Sequence, residues 1–417
     1  MLLNLLALRQ YQQQSATAVF FQKFIASALS PLTSQSPPSA PTPSRSSTPP
    51  ETAAMAQPLR KLRVAVSGLG RMGARHAQHF LGKTPRASLI AACDPSPKCR
   101  AWAETHLAPF GVNVYSSFEE MLAKEDIDAV VIATITTIHA EQAIRAIELD
   151  KHVLCEKPLS TSVEISQSVL EAARRKPHLK VLCGFSRRFD ASYRDVAARV
   201  GKGDIGVPSI IRSQTCDKLD PSGFFVDYAQ YSGGIFVDCN VHDIDLTLWY
   251  FGADSMVKSV AAFGITAVQP GLRKWGDVDN GVGIVEFWNG KIAYFYGSRM
   301  MAAGQHDMTE IIGTEGKMVV NGNPQQNLVE MHESIGVRRE IPGDYFGRFG
   351  EAFVTEANEF TECCLENKPL PFGLEGAVKA VQIGSALQES LRSGKKIEFD
   401  ESGRRIGGEE KVPRAKL

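Results

Sequence analysis

A glycine-rich turn between a strand and a helix restricts the fold of this chain more than any other feature. Residues 63–67 read as a short buried strand, Gly68, Gly70 and Gly73 form the pattern G-x-G-x-x-G, and residues 74–80 read as a helix. In this order the first glycine permits a tight turn, the second lets the backbone approach a pyrophosphate, and the third lets helix and strand pack closely. The helix N-terminus then faces the phosphate charge. The dinucleotide contacts predicted from the turn are Gly68, Leu69, Gly70, Arg71, Met72 and Gly73.

A second match to the same pattern, at residues 201–206, serves as a comparison. A helical stretch precedes it at 192–200, and an apolar strand follows it at 207–211. Because this order is reversed, we predict that residues 201–206 end a helix and do not bind phosphate.

An acidic residue lies at the end of the next predicted strand. Residues 88–93 read as that strand, and Asp94 follows it, twenty-one residues beyond the glycine turn. A carboxylate at this point accepts hydrogen bonds from an adenosine ribose and repels a 2′-phosphate, which predicts NAD as the cofactor. Two alternatives stay open: Lys98 and Arg100 lie close enough to admit NADP, and Asp94 also suits a turn before the following proline.

Strands and helices continue to alternate up to about residue 155. Further strands are predicted at 112–115, 128–134 and 152–155, and helices at 118–124 and 139–149. Alternating units of this kind form a doubly wound parallel sheet, the Rossmann architecture, whose ligands bind outside the carboxyl ends of the strands. We therefore expect Thr134, His139 and Glu156 to face the cofactor, although His139 is equally suited to capping its helix.

Lys157 and His242 are the candidate catalytic residues. Lys157 follows a strand, at the sheet edge where the reactive end of a dinucleotide would lie; the alternative is a flexible surface lysine. Gly233 and Gly234 open a predicted helix on which Asp238 and His242, four residues apart, share a face. A carboxylate one turn from an imidazole orients it for general acid/base catalysis. Taken alone, the same pair also suits a helix N-terminal acid and a structural histidine.

Metal binding is the rival use of this segment. His242 lies near Asp238, Cys239 and Asp243, which together offer nitrogen, oxygen and sulfur ligands. His76 and His79 form a second candidate pair, three residues apart on a helix. Neither group has a recognised metal-binding spacing, so we predict no metal.

Charge and cysteine content narrow the kinds of partner. The 417 residues carry 46 Lys and Arg against 46 Asp and Glu, so the chain has no strong field for phosphate backbones or anionic lipid. Small molecules are the expected partners, and nucleic acids and membranes are not. The eight cysteines are scattered without a C-x-x-C pair, which is typical of reduced thiols and predicts the cytoplasm.

The first 58 residues differ in composition from the rest. Residues 1–50 contain no Asp or Glu, and residues 31–50 are dominated by Pro, Ser and Thr. Such a segment buries too little apolar surface to order itself, so we predict a disordered or targeting extension over 1–58. Residues 1–54 would be a mitochondrial presequence in the targeting case, and Met55 is an alternative start. No run of about eighteen apolar residues occurs, so we expect no membrane-spanning helix.

In combination these motifs resemble the Gfo/Idh/MocA family of oxidoreductases over about residues 60–400. Glu-Lys-Pro follows the glycine turn at 156–158, G-F-S-R-R-F-D follows at 184–190, and S-G-G with D-x-x-x-H-D follows at 232–243. The arginine-containing segment is similar to that of the family's inositol 2-dehydrogenases. The combination is far more specific than any single motif.

The resemblance implies roles for individual residues. Lys157 and His242 would form the catalytic pair, with Asp238 completing a triad. Glu156 would lie near the nicotinamide together with Lys157, and Arg187 would contact the substrate beside Asp238 and His242.

The resemblance also implies two domains. A Rossmann domain would cover 59–183, and an α+β domain with a large, mostly antiparallel sheet would cover 184–400. The stretches that read as strands of the second sheet, by their β-branched and aromatic content, are 210–214, 257–266, 282–288 and 291–297. The second domain would bind substrate and mediate assembly into a homodimer or homotetramer, and the polar tail 401–417 would be disordered.

These observations lead to one functional hypothesis, NAD-dependent oxidation of a secondary hydroxyl on a cyclic polyol or sugar. His242 would accept the hydroxyl proton, and Lys157, its pKa lowered by the cationic nicotinamide, would polarise the reacting oxygen. The alternatives are an NADP-dependent sugar or dihydrodiol dehydrogenase of the same family and a non-catalytic regulator that senses a dinucleotide. Ile135 stands where the family often has proline, which leaves the adenine and ribose contacts of that loop open. His306 stands where inositol dehydrogenases tend to have an aromatic hydroxyl residue, which argues against inositol itself. Substrate choice would depend on the loops 216–228 and 300–308.

Overall fold

The structure of the chain, a computed structural model, describes residues 60–252 and 254–407. Strands and helices alternate in its first half, as the sequence predicts. The strands are β1 (Leu62–Ser67), β2 (Ala87–Cys93), β3 (Asn113–Tyr115), β4 (Ala129–Ile132), β5 (His152–Glu156) and β6 (Val181–Gly184). The helices are α1 (Arg71–Gly82), α2 (Pro97–His106), α3 (Phe118–Lys124), α4 (His139–Glu148) and α5 (Val163–Arg175). The predicted extension, residues 1–58, lies outside the described residues, which begin at residue 60.

The first sheet has the strand order β3-β2-β1-β4-β5-β6, and all neighbouring strands are parallel. β4 and β6 are buried at every position, as is typical of the continuous apolar strands in parallel sheets. The strand order reverses between β1 and β4, which lie side by side. In such sheets the crevice outside the carboxyl ends at this point is where ligands bind. The predicted Rossmann architecture is therefore confirmed.

A second sheet is built from the residues beyond β6. Its strands are β7 (Pro208–Lys218), β8 (Val257–Ile265), β9 (Asn280–Phe287), β10 (Ile292–Met301), β11 (Met308–Gly313), β12 (Lys317–Val320), β15 (Ile397–Phe399) and β16 (Arg405–Ile406). The strands β13 (Glu330–Glu333) and β14 (Gly336–Arg339) form a separate hairpin. The order is β12-β11-β7-β10-β9-β8-β15-β16, and β7 with β10 is the parallel pair in an otherwise antiparallel sheet. The predicted α+β second domain is confirmed.

Six helices accompany this sheet within the described residues. They are α6 (Ala191–Lys202), α7 (Phe224–Ser232), α8 (Ile235–Asp238), α9 (Val241–Phe251), α10 (Tyr345–Glu366) and α11 (Glu375–Ser393). The last two contact helices beside the first sheet: Asn358 Nδ2 of α10 donates to the carbonyl of Lys83, just after α1, at 3.0 Å, and Glu375 of α11 pairs with Arg174 of α5 at 3.0 Å. Although α10 spans 22 residues, neither it nor another helix of the described residues is apolar enough to cross a membrane.

Of two predictions about helix ends and continuity, the helix-ending turn at residues 201–206 is confirmed and the single helix after Gly234 is wrong. Gly203 ends α6 with φ of +82°, so the predicted helix-ending turn is confirmed. The single helix predicted to follow Gly234 is wrong, because it is broken into α8 and α9. The Asn240 amide donates to the carbonyl of Ile235, five residues back, at 3.1 Å, and this ends α8 before α9 begins.

The start of the predicted disordered tail is also wrong. Residues 401–407 are ordered as a turn followed by β16, which pairs with β15 at the edge of the second sheet. Asp400 holds the turn by accepting hydrogen bonds from the backbone amides of Ser402 and Arg404, both at 2.9 Å, and Gly403 supplies φ of +82°. Residues 408–417 lie outside the described part of the chain.

Candidate active site

A cavity of about 450 Å³ lies at the carboxyl ends of β1, β2, β4 and β5 and extends to the second sheet. Most of the predicted site residues line it, although they come from distant parts of the chain. Those in its wall are Gly68, Gly70, Arg71, Met72, Asp94, Thr134, His139, Glu156, Lys157, Arg187, Asp238 and His242. Leu69 and Gly73 do not line the cavity and act on its shape through the packing of the turn.

The three glycines of the turn have different surroundings. At Gly68, with φ of +85°, a Cβ atom would lie 2.6 Å from the Ala133 carbonyl oxygen, and at Gly73 it would lie 1.8 Å from the oxygen of Gly68. A Cβ at Gly70 would meet no described atom within 4 Å. The first and third glycines are therefore required for packing, whereas the second leaves open space beside the N-terminus of α1. This space suits the pyrophosphate of a dinucleotide.

Asp94 lies in the cavity wall beside the glycine turn. Its Oδ2 accepts a hydrogen bond from the Leu69 amide at 2.7 Å, and its Oδ1 accepts one from the Ser96 amide at 2.8 Å. The turn role weighed in the sequence analysis is thus present, and the carboxylate still lies in the cavity wall. The Arg100 side chain donates to the backbone carbonyls of Asp94 and Pro95 at 2.9 and 2.7 Å, so its guanidinium is engaged by the protein.

His139 joins the loops that follow β4 and β5. Its Nδ1 lies 2.9 Å from the Pro158 carbonyl oxygen and its Nε2 lies 3.2 Å from that of Thr134. The imidazole is 2% exposed and also lines the cavity. Its position is therefore compatible both with facing a cofactor and with a structural role at the start of α4. The peptide bond between Lys157 and Pro158 is cis.

Glu156 is buried at the centre of the cavity wall. Its Oε1 lies 2.7 Å from Nε2 of His76, a histidine that the sequence analysis considered only as a metal ligand. Burial raises the pKa of Glu156, but the hydrogen bond from His76 and the nearby charge of Lys157 outweigh it and lower that pKa below its ordinary value.

Within the described residues, no group of three or more His, Cys, Asp or Glu side chains is arranged to hold a metal.

Lys157 is anchored by Asp238. Its Nζ donates to the backbone carbonyl of Asp238 at 2.8 Å and lies 3.5 Å from the carboxylate Oδ1 of the same residue. Burial lowers the pKa of Lys157, but the Asp238 carboxylate outweighs it and the net direction is upward. The lowered pKa expected from the sequence refers to a bound cationic nicotinamide; in the protein alone the pKa shifts the opposite way.

His242 faces the same cavity without the partner predicted for it. Its Nδ1 is buried and has no hydrogen-bond partner among the described residues, and the Phe185 ring packs edge-on at 6.0 Å. Burial, together with the charges of Lys157 and Arg187, places the pKa of His242 well below its ordinary value. The predicted contact between Asp238 and His242 is not formed, because α8 ends between them and Asp238 is held by cations instead.

Arg187 lies in the polar half of the cavity wall. Its guanidinium donates to Asp243 Oδ1 at 3.0 Å and to Thr215 Oγ1 at 2.8 Å, and Nη2 lies 3.2 Å from Asp307 Oδ1. Burial raises the pKa of Asp307 to about 6, against the attraction of Arg187. The guanidinium charge is therefore already balanced by two acids of the protein.

Several wall residues were not predicted individually. Those in the two loops to which we assigned substrate choice, at 216–228 and 300–308, are Asp217, Phe224, Phe225, Tyr228 and Gln305. His306, the position at which we expected a departure from the inositol dehydrogenases, does not line the cavity, and its neighbour Gln305 does. α10 contributes Tyr345, Phe349 and Phe353, for which the sequence carries no local signal.

Comparisons with known proteins agree with this architecture. Residues 62–185 match the model of an oxidoreductase family with an NAD-binding Rossmann fold, and residues 193–319 match the GFO/IDH/MocA C-terminal domain. The scyllo-inositol 2-dehydrogenase (NAD(+)) of Bacillus subtilis is 33% identical over 82% of this chain and 97% of its own length. The myo-inositol 2-dehydrogenase of Thermotoga maritima is 29% identical over 82% of this chain and 99% of its own length.

A solved structure provides a third comparison. The crystal structure of scyllo-inositol dehydrogenase from Lactobacillus casei with bound NAD(H) and scyllo-inositol is 32% identical, with a TM-score of 0.77 over 81% of this chain and 99% of that chain. The open cradle at Gly70, the acid after β2 and the lysine after β5 fit the same cofactor. The chain therefore belongs to the Gfo/Idh/MocA family of oxidoreductases, as an NAD-dependent dehydrogenase.

Proposed function

We propose that this chain oxidises a secondary hydroxyl of a cyclic polyol, an inositol being the first candidate, with His242 as the proton acceptor and Lys157 bound to the reacting oxygen. The observation that carries the proposal is that both side chains line one cavity whose other end is the glycine turn and Asp94. A donor and a base thus face the place where the reactive end of a dinucleotide would lie.

The residues of the cavity wall would bind the cofactor and transfer the proton. The turn at Gly70 would hold the pyrophosphate, Asp94 the adenosine ribose, and Glu156 would lie beside the nicotinamide. NAD, when bound, accepts the hydride that leaves the substrate carbon. The neutral imidazole of His242 takes the hydroxyl proton, which its lowered pKa permits at neutral pH. The Lys157 ammonium donates to the same oxygen and stabilises the alkoxide that develops.

The polar half of the cavity supports an uncharged substrate. Because Asp243 and Asp307 balance Arg187, the described residues of this half of the cavity offer no unpaired guanidinium to a phosphate or a carboxylate. The amide oxygen of Gln305 and the hydroxyl of Tyr228, both residues of the cavity wall, are polar groups suited to a ring that carries many hydroxyls. The scyllo-inositol and myo-inositol 2-dehydrogenases among the relatives favour the same class of substrate.

We also propose that the chain acts as a homo-oligomer in the cytoplasm. The open face of the second sheet exposes large apolar side chains, among them Phe263 at 68%, Ile265 at 62% and Ile284 at 40%, and such a patch commonly marks a subunit interface. The free state of all eight cysteines supports a reducing compartment. A mitochondrial address would depend on residues 1–54, which lie outside the described part of the chain.

The experiment that tests the function is the appearance of NADH absorbance when the full chain is given NAD. The panel contains myo-inositol, scyllo-inositol, neutral aldoses, and phosphorylated or carboxylated polyols, each also assayed with NADP. We expect turnover with at least one inositol, a preference for NAD, and poor turnover of the anionic polyols. Silence on the whole panel, with NAD binding confirmed by NADH fluorescence, would contradict the proposal and favour a dinucleotide-sensing protein.

A further inference from the structure

Arg299 is the largest fully buried side chain of the described residues, and it contacts Asp238, a residue of the cavity wall, from outside the cavity. It lies on β10, and its side chain is 0% exposed. Its Nη2 donates to Asp238 Oδ2 at 2.7 Å, and its Nη1 lies 3.7 Å from Asp277 Oδ2. Arg299 does not itself line the cavity. It reaches the cavity wall through two neighbours, the Asp238 carboxylate and the ring of Phe225, over which its guanidinium lies at 4.8 Å. Any effect on the reaction is therefore indirect, and of these two contacts the one with Asp238 leads to Lys157.

Arg299 and Asp277 hold the two ends of α8. Asp277 Oδ1 accepts a hydrogen bond from the Ile235 amide, the first residue of this four-residue helix, at 2.9 Å. Arg299 binds the carboxylate of Asp238, the last residue of the helix. A helix this short has little stability of its own, so contacts at its ends decide where its side chains lie.

The contacts form a row of alternating charges. Lys157, Asp238, Arg299 and Asp277 follow one another as cation, anion, cation and anion, with side chains at most 19% exposed. The two carboxylate oxygens of Asp238 are divided between its neighbours: Oδ2 faces Arg299 and Oδ1 faces Lys157. Neither oxygen is directed to His242, whose Nδ1 has no partner among the described residues.

We propose that Arg299 is a positioning residue for the dehydrogenase reaction, which fixes Asp238 so that this carboxylate holds the Lys157 ammonium at the reacting oxygen. The inference rests on the proposed function. It assigns Asp238 to the lysine and leaves His242 to act as an unassisted imidazole. Without Arg299 the Asp238 carboxylate is free to rotate, and a displacement of the catalytic group by about 1 Å is enough to cost roughly 10²-fold in rate.

The first test compares two variants with the parent protein by kcat, KM, NAD affinity and thermal stability. Arg299→Met should lower kcat by about 10²-fold while the affinity for NAD changes less than about twofold. Arg299→Met with Asp277→Asn removes one cation and one anion, so it restores the charge balance, and the asparagine keeps an acceptor for the Ile235 amide. We expect the double variant to recover thermal stability and not kcat. Recovery of both would show that Arg299 only neutralises buried charge and would overturn the proposal.

A matched control separates positioning from the loss of a buried ion pair in general. Arg188 forms a bidentate pair with Asp245, both contacts at 2.8 Å, and its side chain is 10% exposed and outside the cavity wall. Arg188→Met should lower stability and leave kcat per folded molecule near that of the parent protein. If kcat falls as far as in Arg299→Met, the loss is a general effect of destabilisation and the proposal fails.

A second test needs no substrate, so it holds even if the polyol panel is silent and the proposed function fails. The charged groups that face Asp238 are Lys157 after β5, Arg299 on β10 and Arg71 on α1, and Tyr228 of α7 lies nearby. Removal of one cation should raise the pKa of the Asp238 carboxyl. We would follow it by ¹³C NMR, assigning the resonance by its loss in Asp238→Asn. An unchanged carboxyl pKa in Arg299→Met would overturn the proposal whatever the activity.

Discussion

Asp94 Oδ2 accepts a hydrogen bond from the Leu69 amide at 2.7 Å, so the acid after β2 is joined directly to the glycine turn after β1. The carboxylate therefore has two roles in the proposed function, because it orders the turn that would hold the pyrophosphate and would also present negative charge to the ribose of a bound dinucleotide. Replacing it affects both the shape of the turn and the choice of cofactor.

Asp94→Ser should shift the enzyme from NAD towards NADP. Losing a charged acceptor costs about 1.5–3 kcal/mol, which corresponds to roughly 10- to 100-fold in the affinity for NAD. Loss of the negative charge removes the repulsion of a 2′-phosphate, so kcat/KM for NADP should rise. The measurement is kcat/KM with each cofactor. Asp94→Asn is the control: it keeps an oxygen for the Leu69 amide and removes the charge, so its NADP gain should match that of serine. An unchanged NAD preference in both variants would contradict this role.

Gly70→Ala should separate cofactor binding from folding. A Cβ at this position meets no described atom within 4 Å, so the thermal unfolding midpoint should stay within a few degrees of the parent protein. The added methyl occupies space that suits a pyrophosphate, so the affinity for NAD should fall at least about tenfold. NADH fluorescence titration and thermal unfolding measure the two effects.

Gly73→Ala is the matched partner of that change. Its Cβ would lie 1.8 Å from the Gly68 carbonyl oxygen, so the variant should be destabilised even without cofactor. If both alanine variants lose stability equally, or if neither weakens NAD binding, the distinction drawn between the two glycines is wrong.

Much of the first domain was predictable because its signals are local. A buried strand, the turn at Gly68 and the helix after it are adjacent in the chain, and Asp94 and Lys157 follow strands whose carboxyl ends a parallel sheet must bring together. Four of the eight strands of the second sheet, β7 to β10, were also predictable from their β-branched and aromatic content, and β11, β12, β15 and β16 were not. The order of the strands was not predictable, because pairing between strands depends on contacts far apart in sequence.

The break between α8 and α9 shows why the rest was missed. The residues from Ile235 onward are apolar at helical spacing, so the pattern favours one helix carrying Asp238 and His242 on a shared face. In the structure Asp277 holds the first residue of α8 from 42 positions away, and Arg299 holds Asp238 from 61 positions away. No local pattern contains these contacts, and they change the partner of Asp238 from an imidazole to an ammonium group.

The rate of oxidation should fall at low pH as His242 becomes protonated. Burial and the charges of Lys157 and Arg187 hold the pKa of His242 well below its ordinary value, so kcat/KM should be constant near neutrality and fall only below about pH 6.5. His242→Ala should lose about 10²- to 10⁴-fold in kcat together with this acid limb. The measurement is a profile of kcat/KM between about pH 5 and 8.

Lys157→Met is the control for this assignment. It should also lose turnover by about 10²- to 10⁴-fold and retain NAD binding. Because the lysine charge lowers the pKa of His242, the residual activity should show an acid limb displaced to higher pH. A limb that persists in His242→Ala, or that does not move in Lys157→Met, would assign the titration to another group.

Stability should fall in mild acid, and His79 on α1 should account for part of the loss. Burial, with the charges of His76, Lys83 and Arg75, lowers the pKa of His79 to about 4. The unfolded chain, with a histidine pKa near 6.5, therefore binds a proton first as pH falls, so folding loses free energy between about pH 6.5 and 4. At pH 5 the loss is about 1–2 kcal/mol after allowing for the partial exposure of the ring.

His79→Gln should remove this contribution. Urea unfolding at pH 7 and pH 5 gives the stability difference for each protein, and the difference should be about 1–2 kcal/mol smaller in the variant than in the parent. His106→Gln, at an exposed position near the end of α2, is the matched control and should leave the difference as it is in the parent. If His79→Gln and the parent lose the same stability on acidification, the imidazole of His79 is not held neutral in the folded protein, and the acid sensitivity must come from other buried groups.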